Sequence, residues 1–385
     1  MKKNILLITL CILLLKPLFA QLDNTALRYN LEILADDTHK LKFSFNNVNF
    51  MRNTEYFNDI ETGQTFFLYQ LNPKLIYFPS EFMRIDGGIF LRKDFGNSQY
   101  TSIDPTFSLK LFKNGFSTTI GNLEGNLNHR LIEPLYHFDQ VITNPLEQGL
   151  QMKLDKKKFW GDMWINWERM IYMGSPFQEQ IAAGHSSLTT LFAHENGFKI
   201  QLPVQALVHH FGGQIDTTND HIISKINTTA GLRFSYEFQN SFVKEIRSDN
   251  YFVYYKNFSP YKDTTQPAEG TGMYFNLLVK TKFIDIMFNY WNAENYIAPR
   301  GGHLYQSMST DYPSNYISPK RELLFIRFMY EKQILPHLFL NARLEPYYDF
   351  HHRYTPQNPN VGKLEFSYSF YFVYRQDFSL WRVKK

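Results

Sequence analysis

A histidine beside a serine is where acyl-transfer chemistry would be sought in this chain of 385 residues. An imidazole in hydrogen-bond reach of a hydroxyl can take its proton and turn the oxygen into a nucleophile. His185 and Ser186, in the run Gly-His-Ser-Ser, form such a neighbour pair. His209 with His210, and His351 with His352, are the double histidines that a metal ion would look for. Successive side chains on an extended strand point to opposite faces. A neighbour pair therefore acts together only if it lies in a loop, and the same geometry separates the two rings of each double histidine. Nor does a carboxylate stand at a spacing that would complete a catalytic set. The expectation is a protein that is not an enzyme, with no catalytic residue, no metal site and no cofactor. With no phosphate-cradling glycine loop and no basic–aromatic patch, nucleic acid is excluded as a partner.

What the chain has in abundance is the element that would carry side chains on two faces. Apolar residues recur at every second position, the period of a half-buried strand. Over 222–238, Ile222, Ile226, Ala230, Leu232, Phe234, Tyr236 and Phe238 share one face, and Lys225, Asn227, Thr229, Arg233, Ser235 and Glu237 the other. Segments 336–349 and 364–375 repeat this, the latter with Phe366, Tyr368, Phe370, Phe372 and Tyr374 against Glu365, Ser367, Ser369 and Arg375. About sixteen such segments, fourteen to eighteen at the limits, run from Leu41 to Arg375, with boundaries good to roughly two to four residues. The connections alternate. Tight turns are expected near Glu81, Asn114–Gly115, Lys157, Gly197, Asn240, Phe283 and Pro336, with long polar loops at 52–62, 123–147, 171–185, 212–221, 257–270, 295–320 and 350–361. A connection of three residues, 95–97, breaks the alternation, falling short where a long loop is due.

The N-terminus explains how such a chain is exported. Residues 1–20 start with Lys2 and Lys3, continue with an apolar run to Leu15, and end on Ala20, the pattern of a cleaved signal peptide. Cys11 lies within it, so the mature chain has no thiol and no disulfide. The 40 basic residues become 37 once Lys2, Lys3 and Lys16 leave, against 36 acidic ones, so charge gives no argument for a nucleic-acid partner. Aromatics make up 17% of the chain, which suits the girdles of a membrane barrel. Lipid offers no partner to N–H and C=O groups, so only helices and closed barrels span it.

In its signal peptide, dyad segments, alternating turns and loops, and aromatic final strand (366–375, FSYSFYFVYR), the chain resembles Gram-negative outer-membrane porins. The resemblance implies an all-β, antiparallel, up-and-down transmembrane barrel with short periplasmic turns and long extracellular loops. Its parts would be a signal peptide (1–20), a periplasmic N-terminal stub (21–39) and the barrel (40–385). It implies residence in the outer membrane, the lipid bilayer and a small polar solute as partners, and a homotrimer as one arrangement. One departure is that the chain runs on through Phe378 and Trp381 to Lys385, where such barrels often end on an aromatic residue.

A barrel this wide leaves an aqueous channel. The polar phase of the strands then gives the pore lining: Lys42, Arg84, Arg92, Lys110, Asp162, Trp164, Glu168, Arg233, Glu237, Arg327, Arg343, Glu345 and Arg375. Arg327, Arg343, Arg375 and Lys42 fall on strands that become consecutive on closure, a basic stripe that either tunes selectivity or keeps the wall wet. Tyr69, Phe90, Trp160, Phe339, Tyr347 and Tyr371 share that phase and would suit sugar rings. The loop 123–147, with Glu124, His129, Arg130, Glu133, His137 and Asp139, is a candidate constriction, whereas 295–320 reads as a surface loop. The function expected is passive diffusion of small hydrophilic solutes, sugars or anions. The alternative is a barrel that serves as an adhesin or a subunit of an export complex.

Overall fold

The computed structural model describes residues 27–261, 265–309, 316–351 and 364–382. Sixteen antiparallel strands form one closed barrel. In chain order they are β1 (Lys40–Glu55), β2 (Thr65–Ser80), β3 (Met83–Asp94), β4 (Ser102–Lys113), β5 (Phe116–Asn122), β6 (Gln148–Lys156), β7 (Phe159–Arg169), β8 (Glu179–Ala193), β9 (Phe198–Gly212), β10 (Ile223–Glu237), β11 (Val243–Asn257), β12 (Glu269–Thr281), β13 (Asp285–Glu294), β14 (Lys320–Leu335), β15 (Leu338–Asp349) and β16 (Leu364–Arg382). Each strand pairs with its neighbours in sequence, and β1 closes on β16 from Lys40 opposite Arg382 to Glu55 opposite Phe366. Closure leaves no unpaired edge, which is the condition for strands in lipid.

The two-residue period is what turns each strand into a wall with two faces. On β12, Met273, Phe275 and Leu277 are exposed, while Tyr274, Asn276 and Leu278 between them are buried. On β10, Leu232 and Phe234 look out and Asn227, Thr229, Arg233 and Ser235 look in. Aromatic side chains such as Phe112, Phe116, Phe242, Phe283 and Trp381 are exposed beside the tight turns, where an interface girdle belongs. Asn114 and Gly115 both adopt positive φ, as the two-residue turn between β4 and β5 requires.

Three boundaries differ notably from the sequence reading, among them β8, which starts at Glu179 inside the loop expected over 171–185 and so places His185 on a strand. The connection after β3 runs over 95–101 rather than 95–97, because the next strand starts only at Ser102. The turn–loop alternation is thus unbroken. The last strand extends past Arg375 to Arg382, with a bulge where Leu41 and Lys42 meet Trp381 and Ser379, so Phe378 and Trp381 belong to the barrel. The signal-peptide segment lies outside the described residues.

The interior holds a core of its own. Leu131, Ile132, Leu135 and Tyr136 from the loop after β5 pack with Tyr296, Ile297, Ala298, Leu304 and Tyr305 from the loop after β13. Both press against Trp164, Tyr251, Tyr274, Trp291, Phe325 and Tyr347 on the wall. The 295–309 segment is therefore internal, correcting its reading as a surface loop. Its apolar residues have partners waiting inside. Gly301 allows the close approach, since a Cβ there would lie 2.1 Å from the carbonyl oxygen of Pro134. At the other end the N-terminal segment also turns inward. Leu31 N–H donates to Glu124 at 2.6 Å, and Arg84 donates to the carbonyl of Glu32 at 2.9 Å.

Candidate functional site

Inside the barrel, loop 123–147 is pinned along its length. Glu124 takes Lys110 at 2.6 Å and also Lys153. Burial opposes its charge, yet Lys153 and Lys110 hold its carboxyl down at about 2. His129 has no exposed surface and lies between two carboxylates, with Nδ1 2.9 Å from Asp162 and Nε2 2.7 Å from Glu147. Its ring stacks on Trp164 at 3.5 Å. Burial disfavours the imidazolium, but Glu147 and Asp162 overcome this and raise its pKa to about 9. Arg130 lies over the face of Trp160, and Ile132 N–H donates to Gln205. Glu133 pairs with Arg327 and accepts from the Tyr305 hydroxyl at 2.7 Å. His137 Nε2 is 3.8 Å from Asp139, which pairs with Arg52 at 2.6 Å.

The side chains assigned to the pore lining all sit on inward positions, most of them with a partner. Lys42 meets Asp37, Arg84 meets Asp86 at 2.7 Å, and Arg92 meets Asp94 at 2.8 Å. Arg233 is held by Asp249 at 2.5 Å, Lys199 by Glu237 at 2.6 Å, and Arg300 and His209 by Glu168. Arg375 donates to the carbonyl of Arg28. The stripe formed by Arg327 and Arg343 is matched by Glu345 on β15 and by Glu133, a carboxylate the loop carries in. Tyr69 departs from its expected phase. It faces outward among Phe95 and Tyr100, because Phe66, Leu68 and Gln70 take the inner positions against the inserted loop. Phe90, Trp160, Tyr347 and Tyr371 are buried inside, and Phe339 packs at the inner cluster with Tyr371.

The outer wall holds what the sequence reading dismissed. On β8, Ala182, Gly184 and Ser186 face inward, with Gly184 opposite Trp164 and Ser186 opposite Asp162. His185 and Ser187 therefore share the outward, lipid-side face. His185 Nε2 stands 3.0 Å from Ser187 Oγ, a hydrogen-bonding distance for a base and its nucleophile. Around them the same face offers Met163, Val204 and Ala206 from the neighbouring strands, an apolar and mostly short-chained surround. Among the described residues no carboxylate is hydrogen-bonded to His185, and Asp162 acts on it only through its charge, so the pair is a dyad. Adjacency misled the sequence reading: Ser186 does point away, but the second serine of Gly-His-Ser-Ser is two residues from the histidine, the spacing that returns to the same face. A second His–Ser contact, His210 Nδ1 to Ser224 Oγ at 2.8 Å, lies under a loop whose Ser259 hydroxyl bonds the Ser224 backbone. His209 and His210 do part to opposite faces, the former reaching Glu168 at 3.4 Å. His351 contacts Glu322, and His352 lies outside the described residues.

Comparison with known proteins adds two findings. The family model described as lipid A 3'-O-deacylase-type matches residues 33–383, which takes in all sixteen strands. No curated protein matches the sequence. Among solved structures, a loop-deletion form of OmpT, an outer membrane protein of Vibrio cholerae, aligns at 9% identity with a TM-score of 0.51, covering 88% of this chain and all of that one. OccAB4 of Acinetobacter baumannii aligns at 11% identity with a TM-score of 0.50, covering 90% of this chain and all of that one. This chain thus has the barrel fold of outer-membrane proteins. The expectation of no enzyme is overturned by the family match, for a deacylase-type family is a family of enzymes.

Proposed function

The chain belongs to the lipid A 3'-O-deacylase-type family, and we propose that it is an esterase working on the outside of its own barrel, with Ser187 as nucleophile and His185 as general base. The observation that carries this reading is the 3.0 Å contact between His185 Nε2 and Ser187 Oγ on the face turned to lipid. An ester-linked acyl chain lying along the wall would reach this pair without leaving the membrane. His185 takes the Ser187 proton as the oxygen attacks the acyl carbonyl. The imidazolium then returns that proton to the departing sugar oxygen as the C–O bond breaks, leaving an acyl-serine. Water, deprotonated by the same imidazole, releases the fatty acid and restores the hydroxyl. By the family's description the substrate is lipid A and the bond its 3'-O-acyl ester.

The test is mass spectrometry of lipid A incubated with the purified barrel. Loss of one acyl chain is expected, and Ser187→Ala and His185→Gln should each lower the rate by about 10²- to 10⁴-fold. Ser186→Ala, on the inner face, should leave it unchanged. Equal turnover by Ser187→Ala and the parent protein would remove Ser187 from the reaction.

A second reading, passage of small polar solutes, draws support from the fold and from cavities of about 260 and 280 Å³ between charged side chains at the tight-turn end. Passage then requires loop 123–147 to withdraw from the lumen.

A further inference from the structure

We infer that the lumen holds a binding site for a small hydroxy acid, in a chamber between β1, β2 and the two segments that fold inward, with Lys74 as the group that meets the carboxylate. The inner face of β2 is apolar at Leu68 and at Ile76, and between them it carries Gln70, Asn72 and Lys74. Gln70 holds the inserted loop, its amide donating to the carbonyls of Val141 at 3.2 Å and Ile142 at 3.3 Å. Asn72 and Lys74 line a cavity of about 110 Å³, together with Asn122 at the end of β5. Tyr29 of the N-terminal segment covers Lys74, its ring centroid 4.6 Å from the ammonium.

The polar groups of this chamber lack partners in a complementary way. Lys74 is only 7% exposed, and among the described residues no oxygen accepts from its ammonium. Asp86 acts on it through charge, but that carboxylate is held by Arg84 at 2.7 and 2.8 Å. Glu147, the one acid of the lining, is taken by His129 at 2.7 Å. A buried ammonium without an anion is costly. Asn122 accepts from the Phe107 N–H through Oδ1 at 2.8 Å, which fixes the orientation of its amide, and its Nδ2 is buried with no acceptor among the described residues. Asn72 Oδ1 is buried with no donor. Buried polar groups are ordinarily paired, and a single ligand would pair all three. Its carboxylate accepts from Lys74 and Asn122, and its hydroxyl donates to Asn72. Residues two apart on a strand are about 6.6 Å apart, a span that a carboxylate and a neighbouring hydroxyl bridge with one hydrogen bond at each end. Val48, Phe50, Leu123 and Val141 supply apolar lining for the carbon skeleton. At about 110 Å³ the cavity is somewhat smaller than one that admits benzene, which fits an acid of about three or four carbons. The chamber lies in the lumen and is separated by the wall from Ser187, so it stands or falls independently of the esterase.

Isothermal titration of the whole barrel in detergent at low salt tests this with lactate, propanoate and lactamide. Lactate should bind saturably and raise the melting temperature. Propanoate leaves Asn72 Oδ1 unpaired and should bind about tenfold more weakly, and lactamide, which carries no charge, should not bind. Lys74→Met keeps the stem, removes the ammonium and should abolish lactate binding. Asn72→Asp sets a carboxylate two residues from Lys74, so it should also abolish binding while raising the melting temperature of the free barrel. Heat-modifiable gel mobility shows whether each variant is still a closed barrel. No saturable binding of lactate to the parent barrel, lactamide binding as tight as lactate, or unchanged lactate affinity in a folded Lys74→Met protein overturns the site.

Discussion

Replacing Glu133 by Gln should loosen the plug more than any other single exchange in loop 123–147. The inner cluster sets three guanidiniums, Arg52, Arg327 and Arg343, against three carboxylates, Asp139, Glu133 and Glu345. All six side chains are at most about a tenth exposed. Taking one charge away leaves the cluster with a guanidinium in excess and the Tyr305 hydroxyl with a weaker acceptor. Breaking a buried pair from one side costs roughly 3–5 kcal/mol. That is a shift of about two to three and a half orders of magnitude toward the withdrawn loop, at 1.4 kcal/mol per decade. Single-channel recording in planar bilayers reads it directly. The parent barrel should be closed with rare openings, and Glu133→Gln should open in bursts at least a hundredfold more often. A Glu133→Gln protein as silent as the parent, with the same melting temperature, would mean that this charge cluster does not hold the loop.

Three further outcomes follow from the same geometry. His129 has its pKa raised from 6.5 to about 9, so its contribution to anchoring the loop is full below about 6.5 and is lost as pH rises through 9. Channel openings should accordingly increase between pH 8 and pH 10, and His129→Gln should abolish that pH dependence; an identical profile in His129→Gln would assign the titration elsewhere. Gly184→Ala would place a Cβ 2.1 Å from the Trp164 ring, so the ring must tilt off His129. Overpacking of this kind costs about 1–3 kcal/mol, seen as a lower melting temperature; an unchanged one would show that Trp164 has room to move. Swapping the serine, with Ser187→Ala and Ser186 retained, should slow deacylation by about 10²- to 10⁴-fold while leaving conductance untouched, and a joint loss of both would tie the two faces together.

The sequence by itself determined the barrel. A period of two, repeated along the chain with turns and loops in alternation, can be satisfied in lipid only by a closed antiparallel sheet, and this follows from local chemistry at each strand. Even the inward placement of Arg84, Asp162, Arg343 and Glu345 was legible, because alternation fixes which face a residue takes. What alternation does not contain is the contents of the lumen. Whether loop 123–147 or segment 295–309 lies outside or folds in depends on contacts between residues far apart in the chain, such as Glu133 with Arg327 and Tyr296 with the Pro134 carbonyl. Tyr69 shows the same limit, for its strand turned apolar side chains inward to meet a loop that local pattern could not announce. The dyad stood between these cases. The spacing of His185 and Ser187 was readable as a shared face, but their 3.0 Å contact, and the lipid side on which it falls, were set only when β7, β8 and β9 came into register.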